Sequence, residues 1–391
     1  MKMRVLYDGQ IYSMQVAGGI NRYFANLISR LPSSFAPSLL VEKTREVNYP
    51  AHPNLKVYEC GKSRSEHISY RLSTYRSRLE TTYWRNVTAF RHFDIAHPTY
   101  YTLLTRQDIN SYRCPIVLTV WDMIHELFPA KMDPTGEHAE MKRKAILSAQ
   151  AIICISENTR KDLLERYSLP ESKVRVAHLA SEVDASLSHG PELVPSRPYY
   201  LYVGSRSSHK NFDGLLTAFA RTISVQPDVA LCVVGPPFNK PEGKLIAELK
   251  LGGYVEHYGH VGDSHLAKLY RCSVAFVYPS LYEGFGIPPL EAMSCGTIVV
   301  TSNSSSLPEV VGDAGIFFDP TSPDELADIL LSLLGNSAER ERLIANGHRR
   351  SQEFSWEKTV SQTLDIYRSV SESRTHSYGK VPGGSIYKPI T

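Results

Sequence analysis

The chain has 391 residues, 42% of them hydrophobic and 21% charged. That balance excludes a disordered or collagen-like chain and predicts two or three domains. The net charge of +3, from 43 basic and 40 acidic residues, is too small to call for a nucleic-acid partner.

No apolar run approaches the roughly 18–20 residues of a membrane span. The opening MKMRVLYDGQ turns polar within a few residues, so no secretory leader is expected. Cys60, Cys114, Cys154, Cys232, Cys272 and Cys295 are scattered, with no C-x-x-C pair. Reduced thiols in a cytoplasmic protein are expected, with neither a zinc site nor a disulfide framework.

In chain order, Val5–Tyr7 reads as a strand ending at Asp8-Gly9, followed by a loop to Gly18-Gly19. Ile20, Tyr23, Phe24, Leu27, Ile28 and Leu31 then share one helical face. Further strands are predicted at 38–41, 55–58, 116–121, 151–155 and 174–177, with helices near 66–91, 137–149 and 156–167. The polar, proline-bearing stretch 181–198 reads as a linker. Alternation resumes with strands at 199–203, 230–234, 274–278 and 297–301. Helices are predicted near 211–222, 243–250, 263–271, 287–295 and 322–334. Residues 336–373 read as helical throughout, and 374–391 as a loose tail. Strands alternating with helices predict α/β domains of mostly parallel, doubly wound sheet. The expected domains are 1–185 and 196–353, followed by a helix over 355–373.

The stretch YPSLYEGFGIPPLEAMSCG, 278–296, carries the strongest chemical signal. A strand runs into a loop with Gly284 and Gly286, and Pro288-Pro289 open a helix. Amides at such a helix start, around Phe285–Ile287, suit a phosphate. Glu283 precedes the turn and Glu291 follows eight residues later, a spacing in which either carboxylate could accept from sugar hydroxyls or simply cap backbone amides.

This run resembles the E-x7-E region of glycosyltransferase family 4, retaining enzymes of GT-B fold that use nucleotide sugars. TSNSSSLPEVVGDAGIFFDP and YLYVGSRSSHKNFDGLLTAF are similar to the same family, as are GGINRYFANLISRL and ICISENTRKDLLERY. The resemblance implies two Rossmann-like doubly wound domains facing a cleft. The nucleotide sugar would lie on the C-terminal domain and the acceptor on the N-terminal one. A final helix would cross back to the first domain. The implied reaction is transfer with retention by front-face attack, with no metal and no protein nucleophile. Lys210 matches the lysine that the family places six residues after Gly204, where it would offset the leaving diphosphate. Arg206 stands one position later than the family arginine and is a second candidate for that role. Glu283 would orient the transferred sugar and Glu291 the ribose. Gly18, Gly19, Gly204, Gly284, Phe285, Gly286 and Ile287 would contact the donor.

At TVWDMIHELFP, relatives often carry His-Asp where this chain has Trp121-Asp122. In those relatives the histidine contacts the donor sugar. Asp122 and His125 are therefore the candidate sugar contacts here. GDP-mannose is the first candidate donor, with UDP-sugars and dTDP-rhamnose left open. A glycan or polyprenyl-linked glycan would be the acceptor, in surface-polysaccharide or O-antigen synthesis. The basic, aromatic stretch 62–91 is expected either to touch the inner face of the plasma membrane or to be a solvated helix face with its aromatics packed inward. The sequence leaves two other readings. A Rossmann-type oxidoreductase would need a G-x-G-x-x-G that the first strand does not supply. A catalytically silent GT-B scaffold is favoured only by Trp121.

Overall fold

The computed structural model describes residues 2–15, 18–43, 49–61, 70–335 and 337–378. Two wholly parallel sheets carry the chain. The first contains β1 (Met3–Asp8), β2 (Phe35–Lys43), β3 (Lys56–Gly61), β4 (Ile95–Ala96), β5 (Val117–Val120), β6 (Ala151–Cys154) and β7 (Val174–Val176). Its two parts, β3-β2-β1-β4 and β5-β6-β7, are joined by a parallel bridge from Ala96 to Ile116. The second sheet contains β8 (Tyr199–Val203), β9 (Ala230–Val234), β10 (Val255–Gly259), β11 (Ala275–Tyr278), β12 (Val299–Ser302) and β13 (Gly315–Phe318), in the order β10-β9-β8-β11-β12-β13. The strand order reverses between β1 and β4 and again between β8 and β11. In open α/β sheets ligands bind at the carboxyl ends of strands beside such a reversal. This is the two-lobed GT-B architecture, with the two sheets facing a cleft.

Burial explains why these segments form strands. β1, β5, β6, β9, β11 and β12 are buried almost throughout, as strands covered on both faces must be. Alternate residues feed different cores: Tyr199, Leu201, Phe276 and Tyr278 pack toward the first lobe, whereas Tyr200, Tyr202, Ala275 and Val277 join the far core of the second. The first core runs without a break from Val5 and Leu39 through Tyr282, Phe285 and Leu307, so apolar contact continues across the junction between lobes.

Several elements differ from the sequence expectation. The loop after β1 contains a short helix, Gln10–Met14. Strands β4, β10 and β13 were not expected. β4 has two residues, and β10 is only half-buried, so neither leaves a clear apolar run. The helical stretch after 336 is two helices, Ser337–Ser351 and Trp356–Tyr378. The latter continues through 374–378, where the sequence predicts a tail, while 379–391 lie outside the described residues. The 181–198 stretch lies along the helix Asp263–Cys272: Lys268 donates to the Gly190 carbonyl (2.7 Å) and Arg271 to the Ser188 hydroxyl (2.9 Å).

The last helix returns to the first lobe. The Tyr367 hydroxyl sits 2.6 Å from His97 Nδ1 and 3.1 Å from the Tyr7 hydroxyl, all three buried. Where the lobes meet, Glu309 of the second accepts from the Glu157 and Asn158 amides (2.8 and 3.1 Å). Those amides open the helix Glu157–Arg166 in the first lobe, where a carboxylate is favoured by the helix dipole. His178 lies 2.6 Å from the same carboxylate. These contacts hold Glu309 ionised, below the ordinary carboxyl range despite its burial.

Candidate functional site

The reversal between β8 and β11 brings together two residues far apart in sequence. After β8 a single 3-10 turn, Ser208–Lys210, presents Lys210. After β11 the loop presents Glu283. Lys210 Nζ lies 2.6 and 2.8 Å from the two Glu283 oxygens and 3.2 Å from the Tyr278 hydroxyl. The Leu281 amide donates to the His209 carbonyl (2.7 Å), tying the two loops to each other. Both side chains are mostly buried, at 17% and 12% exposed.

The 283–287 segment is held from below and from the opposite lobe. Ser305 accepts from the Glu283 amide (2.9 Å), and the Ser306 hydroxyl shares its one hydrogen between the Glu283 and Phe285 carbonyls (2.9 and 2.5 Å). From the first lobe, Ser156 and Thr159 donate to the Gly284 carbonyl (2.7 and 3.1 Å). A Cβ on Gly284 would lie 1.8 Å from the Trp121 carbonyl oxygen, so only glycine allows this approach. Gly286 has φ 129°, a conformation glycine tolerates, and starts the helix Ile287–Ser294. Pro288 and Pro289 carry no amide hydrogen, which leaves Gly286 and Ile287 as the free donors of the first turn.

Across the cleft, Gly18 accepts from Arg22 to open the helix Gly19–Ser29, and a Cβ on Gly19 would lie 3.8 Å from Ile287. The two helix starts therefore face each other. Gly204 ends β8 and donates to Val234 (3.0 Å). Asp122 follows β5; its side chain accepts from Ile124 (3.0 Å) and lies 3.6 Å from the ammonium of Lys142. Lys142 is 1% exposed and also holds Glu126 (2.8 Å) and the Asp122 carbonyl (2.9 Å). His125 stacks on His138, with centroids 5.0 Å apart. Burial and the Lys142 charge hold His125 below the ordinary histidine range; burial and the Lys210 charge do the same to His209.

Arg206 does not join this group. Its side chain, 3% exposed, pairs with Glu242 (3.1 Å), donates to the Pro236 and Pro237 carbonyls and lies over the Phe212 and Phe238 rings. A buried arginine with these partners braces the β9 loop, while its Nη1 has no hydrogen-bond partner among the described residues. Glu291 is buried with one carboxylate oxygen on the Tyr270 hydroxyl (3.0 Å), and burial pushes its carboxyl up to about 7. Arg22 adds a positive field there while pairing with Asp263 across the cleft (2.6 Å). Trp121 is an aromatic core residue, 7% exposed and edge-on to Tyr23 at 5.0 Å.

Sequence reasoning missed Tyr278, Ser305, Ser306, Ser156 and Thr159. The Ser302–Ser306 run follows a strand end, and a rule searching strand ends for hydroxyls would have found it. Of the basic stretch 62–91, residues 62–69 lie outside the described residues. In the helix Tyr70–Phe90, Trp84 and Val87 are buried while Leu79, Tyr83 and Phe90 are exposed. No described helix is long and apolar enough to cross a membrane.

The profile described as "Glycosyl transferases group 1" matches residues 188–350, and that described as "Glycosyltransferase Family 4" matches 17–183. An O-antigen chain mannosyltransferase B of Escherichia coli is 30% identical over 71% of this chain and 72% of its own length. The chain belongs to the GT-B glycosyltransferases. An alpha-maltose-1-phosphate synthase of Mycobacterium tuberculosis is also 30% identical, over 70% of this glycosyltransferase and 78% of its own length. A sucrose-phosphate synthase of Thermosynechococcus elongatus shares the fold, with a TM-score of 0.71 at 21% identity over 95% of this chain and 100% of its own. The chain is thus a glycosyltransferase related to bacterial mannosyltransferases and polysaccharide enzymes, and it acts on a nucleotide-sugar donor and an acceptor.

Proposed function

We propose that this glycosyltransferase is a retaining, family 4 enzyme that moves mannose from GDP-mannose to a glycan or polyprenyl-linked glycan in surface-polysaccharide or O-antigen synthesis. The observation that carries the reading is the Lys210–Glu283 pair at the carboxyl ends of β8 and β11, opposite Asp122 and His125. The activity of the E. coli O-antigen chain mannosyltransferase supports mannose and the O-antigen setting.

In this mechanism Lys210 and the Gly286 and Ile287 amides offset the charge that develops on the leaving diphosphate. Glu283 accepts from hydroxyls of the transferred sugar, and Glu291 from the ribose. Gly18 and Gly19 admit the donor phosphates beside the opposite helix start. Asp122 and His125 contact the sugar from the first lobe. The bond from the anomeric carbon to the phosphate oxygen breaks as the acceptor oxygen attacks the same face. The acceptor proton passes to the departing phosphate. With cationic and amide donors at the diphosphate, no metal is required by this route. Trp121 packs in the first-lobe core, and in this mechanism His125 takes the sugar contact that the family histidine makes. The membrane-contact reading of 62–91 rests on the exposed Leu79, Tyr83 and Phe90.

The test is donor cleavage. Purified protein receives GDP-mannose, UDP-glucose, UDP-GlcNAc, UDP-galactose or dTDP-rhamnose in EDTA, with a polyprenyl-linked mannosyl acceptor. Release of GDP and formation of an α-linked product support the proposal. Release from another donor alone, or an inverted product, overturns the corresponding part of it.

A further inference from the structure

Tyr282 immediately precedes Glu283, and its side chain crosses the junction between the lobes. The hydroxyl accepts from the Met123 amide (3.3 Å) and donates to the Asp162 carboxylate (2.7 Å). Met123 immediately follows Asp122. One phenol therefore joins the loop that carries Glu283 to the loop that carries Asp122 and His125. Its ring is 6% exposed and edge-on to Phe128, with centroids 6.1 Å apart.

Both loops are braced within their own lobes, so the phenol spans two fixed points. Lys142 holds the Asp122 carbonyl and the Glu126 carboxylate, while Lys210 and Ser305 hold the Glu283 carboxylate and amide. Asp162 is itself fixed on the helix Glu157–Arg166, where it also accepts from the Asn158 side chain (2.9 Å). A tyrosine with two torsions is a stiff spacer. Burial and the Asp162 charge push the phenol far above its ordinary range, so the hydroxyl keeps its proton and both bonds persist across working pH. Ser156, Thr159, Glu309 and Arg22 also bond across the junction, but the bonds described for them do not reach the Asp122 loop.

We infer that Tyr282 is a positioning residue for the transfer: its hydroxyl sets the spacing between Glu283 and Asp122, and through that spacing the hydroxyl pattern of the sugar that the cleft accepts. The inference rests on the proposed function, because it takes those two carboxylates as the sugar contacts. Groups that grip a sugar from opposite lobes discriminate epimers only while their separation is fixed. A misplacement of about 1 Å costs on the order of 100-fold in rate.

The test compares wild type with Tyr282→Phe, which keeps the ring and removes both hydrogen bonds. Transfer is measured with GDP-mannose and with its 2-epimer GDP-glucose, and GDP binding by calorimetry. The kcat for mannose should fall about tenfold or more, and the kcat/KM preference for GDP-mannose over GDP-glucose should shrink by a similar factor. GDP affinity should stay near the wild-type value, because Lys210, Glu291 and the Gly286 and Ile287 amides keep their places; this also reports that the second lobe is folded. Asp162→Asn loosens the other end of the link and should move the preference in the same direction. Combined with Tyr282→Phe it should add less than its separate effect, as coupled residues do. An equal loss toward both epimers, with the preference intact in both single variants, would make Tyr282 a structural residue and overturn the inference while the proposed function stands. Unchanged kinetics in Tyr282→Phe would do the same. If the wild type cleaves UDP-glucose or UDP-galactose instead, the mannose part of the proposed function falls, and those two epimers give the same preference ratio for Tyr282. Cleavage of no donor overturns both readings.

Discussion

Lys210 grips both carboxylate oxygens of Glu283 although the two residues are 73 positions apart. One follows β8 and the other β11, and only the reversal of strand order makes them neighbours. The pair has two separable consequences. Breaking it leaves a buried charge unpaired, which costs about 3–5 kcal/mol in well-buried pairs. Removing the ammonium also takes away the charge proposed to meet the diphosphate. Lys210→Met and Glu283→Gln should each lower the melting temperature, and each should reduce donor cleavage about 100- to 1,000-fold. The double variant removes both charges and should recover most of the melting temperature without recovering cleavage. Recovery of both would make the pair purely structural.

Glu291 gives a pH dependence with opposite signs for stability and binding. Burial raises its carboxyl from 4.5 to about 7. Its stabilising contribution is therefore complete below about 4.5 and lost as pH rises through about 7. A ribose diol donates to a carboxylate, so donor affinity should instead increase as pH rises from 6 to 8. Calorimetric titration of GDP-mannose should show several-fold tighter binding at pH 8, and Glu291→Gln should flatten the profile. An unchanged profile in the variant would remove Glu291 from the donor site.

The repeating architecture was legible because β8 and β9 are continuous apolar runs ending in Gly204 and Gly235, and because Pro288-Pro289 mark a helix start. β4 and β10 were not, since two residues or a half-exposed edge strand carry too little pattern. The site was legible where it depends on short-range sequence, as at Glu283 to Ile287. It was illegible where it depends on long-range packing. The enclosure of Arg206 by Glu242 and two aromatic rings, and the packing of Trp121 against Tyr23, depend on residues outside their local sequence.

Gly284 sets how closely the lobes approach. A methyl group there would overlap the Trp121 carbonyl, and backbone cannot move aside as a flexible side chain can. Gly284→Ala should therefore push the 283–287 loop off the first lobe and weaken the Ser156 and Thr159 bonds to its carbonyl. Donor cleavage is expected to fall at least tenfold, with a larger radius of gyration by X-ray scattering. Full activity with an unchanged scattering profile would show that the junction relaxes without consequence for the site.

The dock of the final helix should be acid-sensitive. His97 is fully buried, with Nδ1 at 2.6 Å from the Tyr367 hydroxyl and Nε2 at 2.9 Å from the Thr119 hydroxyl. Burial lowers its pKa from 6.5 to about 3, because a charged imidazole there would lose its water without gaining an anion. A depressed pKa contributes stability that is present above about 6.5 and lost as pH falls toward 3, on the order of a few kcal/mol over that window. His97→Gln keeps a neutral hydrogen-bonding group and removes the titration. Its unfolding free energy should fall less steeply than the wild type between pH 6.5 and 4. Tyr367→Phe removes a hydroxyl from both His97 and Tyr7 and should cost about 1–3 kcal/mol for the buried groups left unpaired. Hydrogen exchange should then quicken first in the helix Trp356–Tyr378, ahead of β8–β13. Equal acceleration across both lobes would mean that the helix unfolds only with the whole molecule, and parallel pH slopes for His97→Gln and wild type would place the acid sensitivity elsewhere.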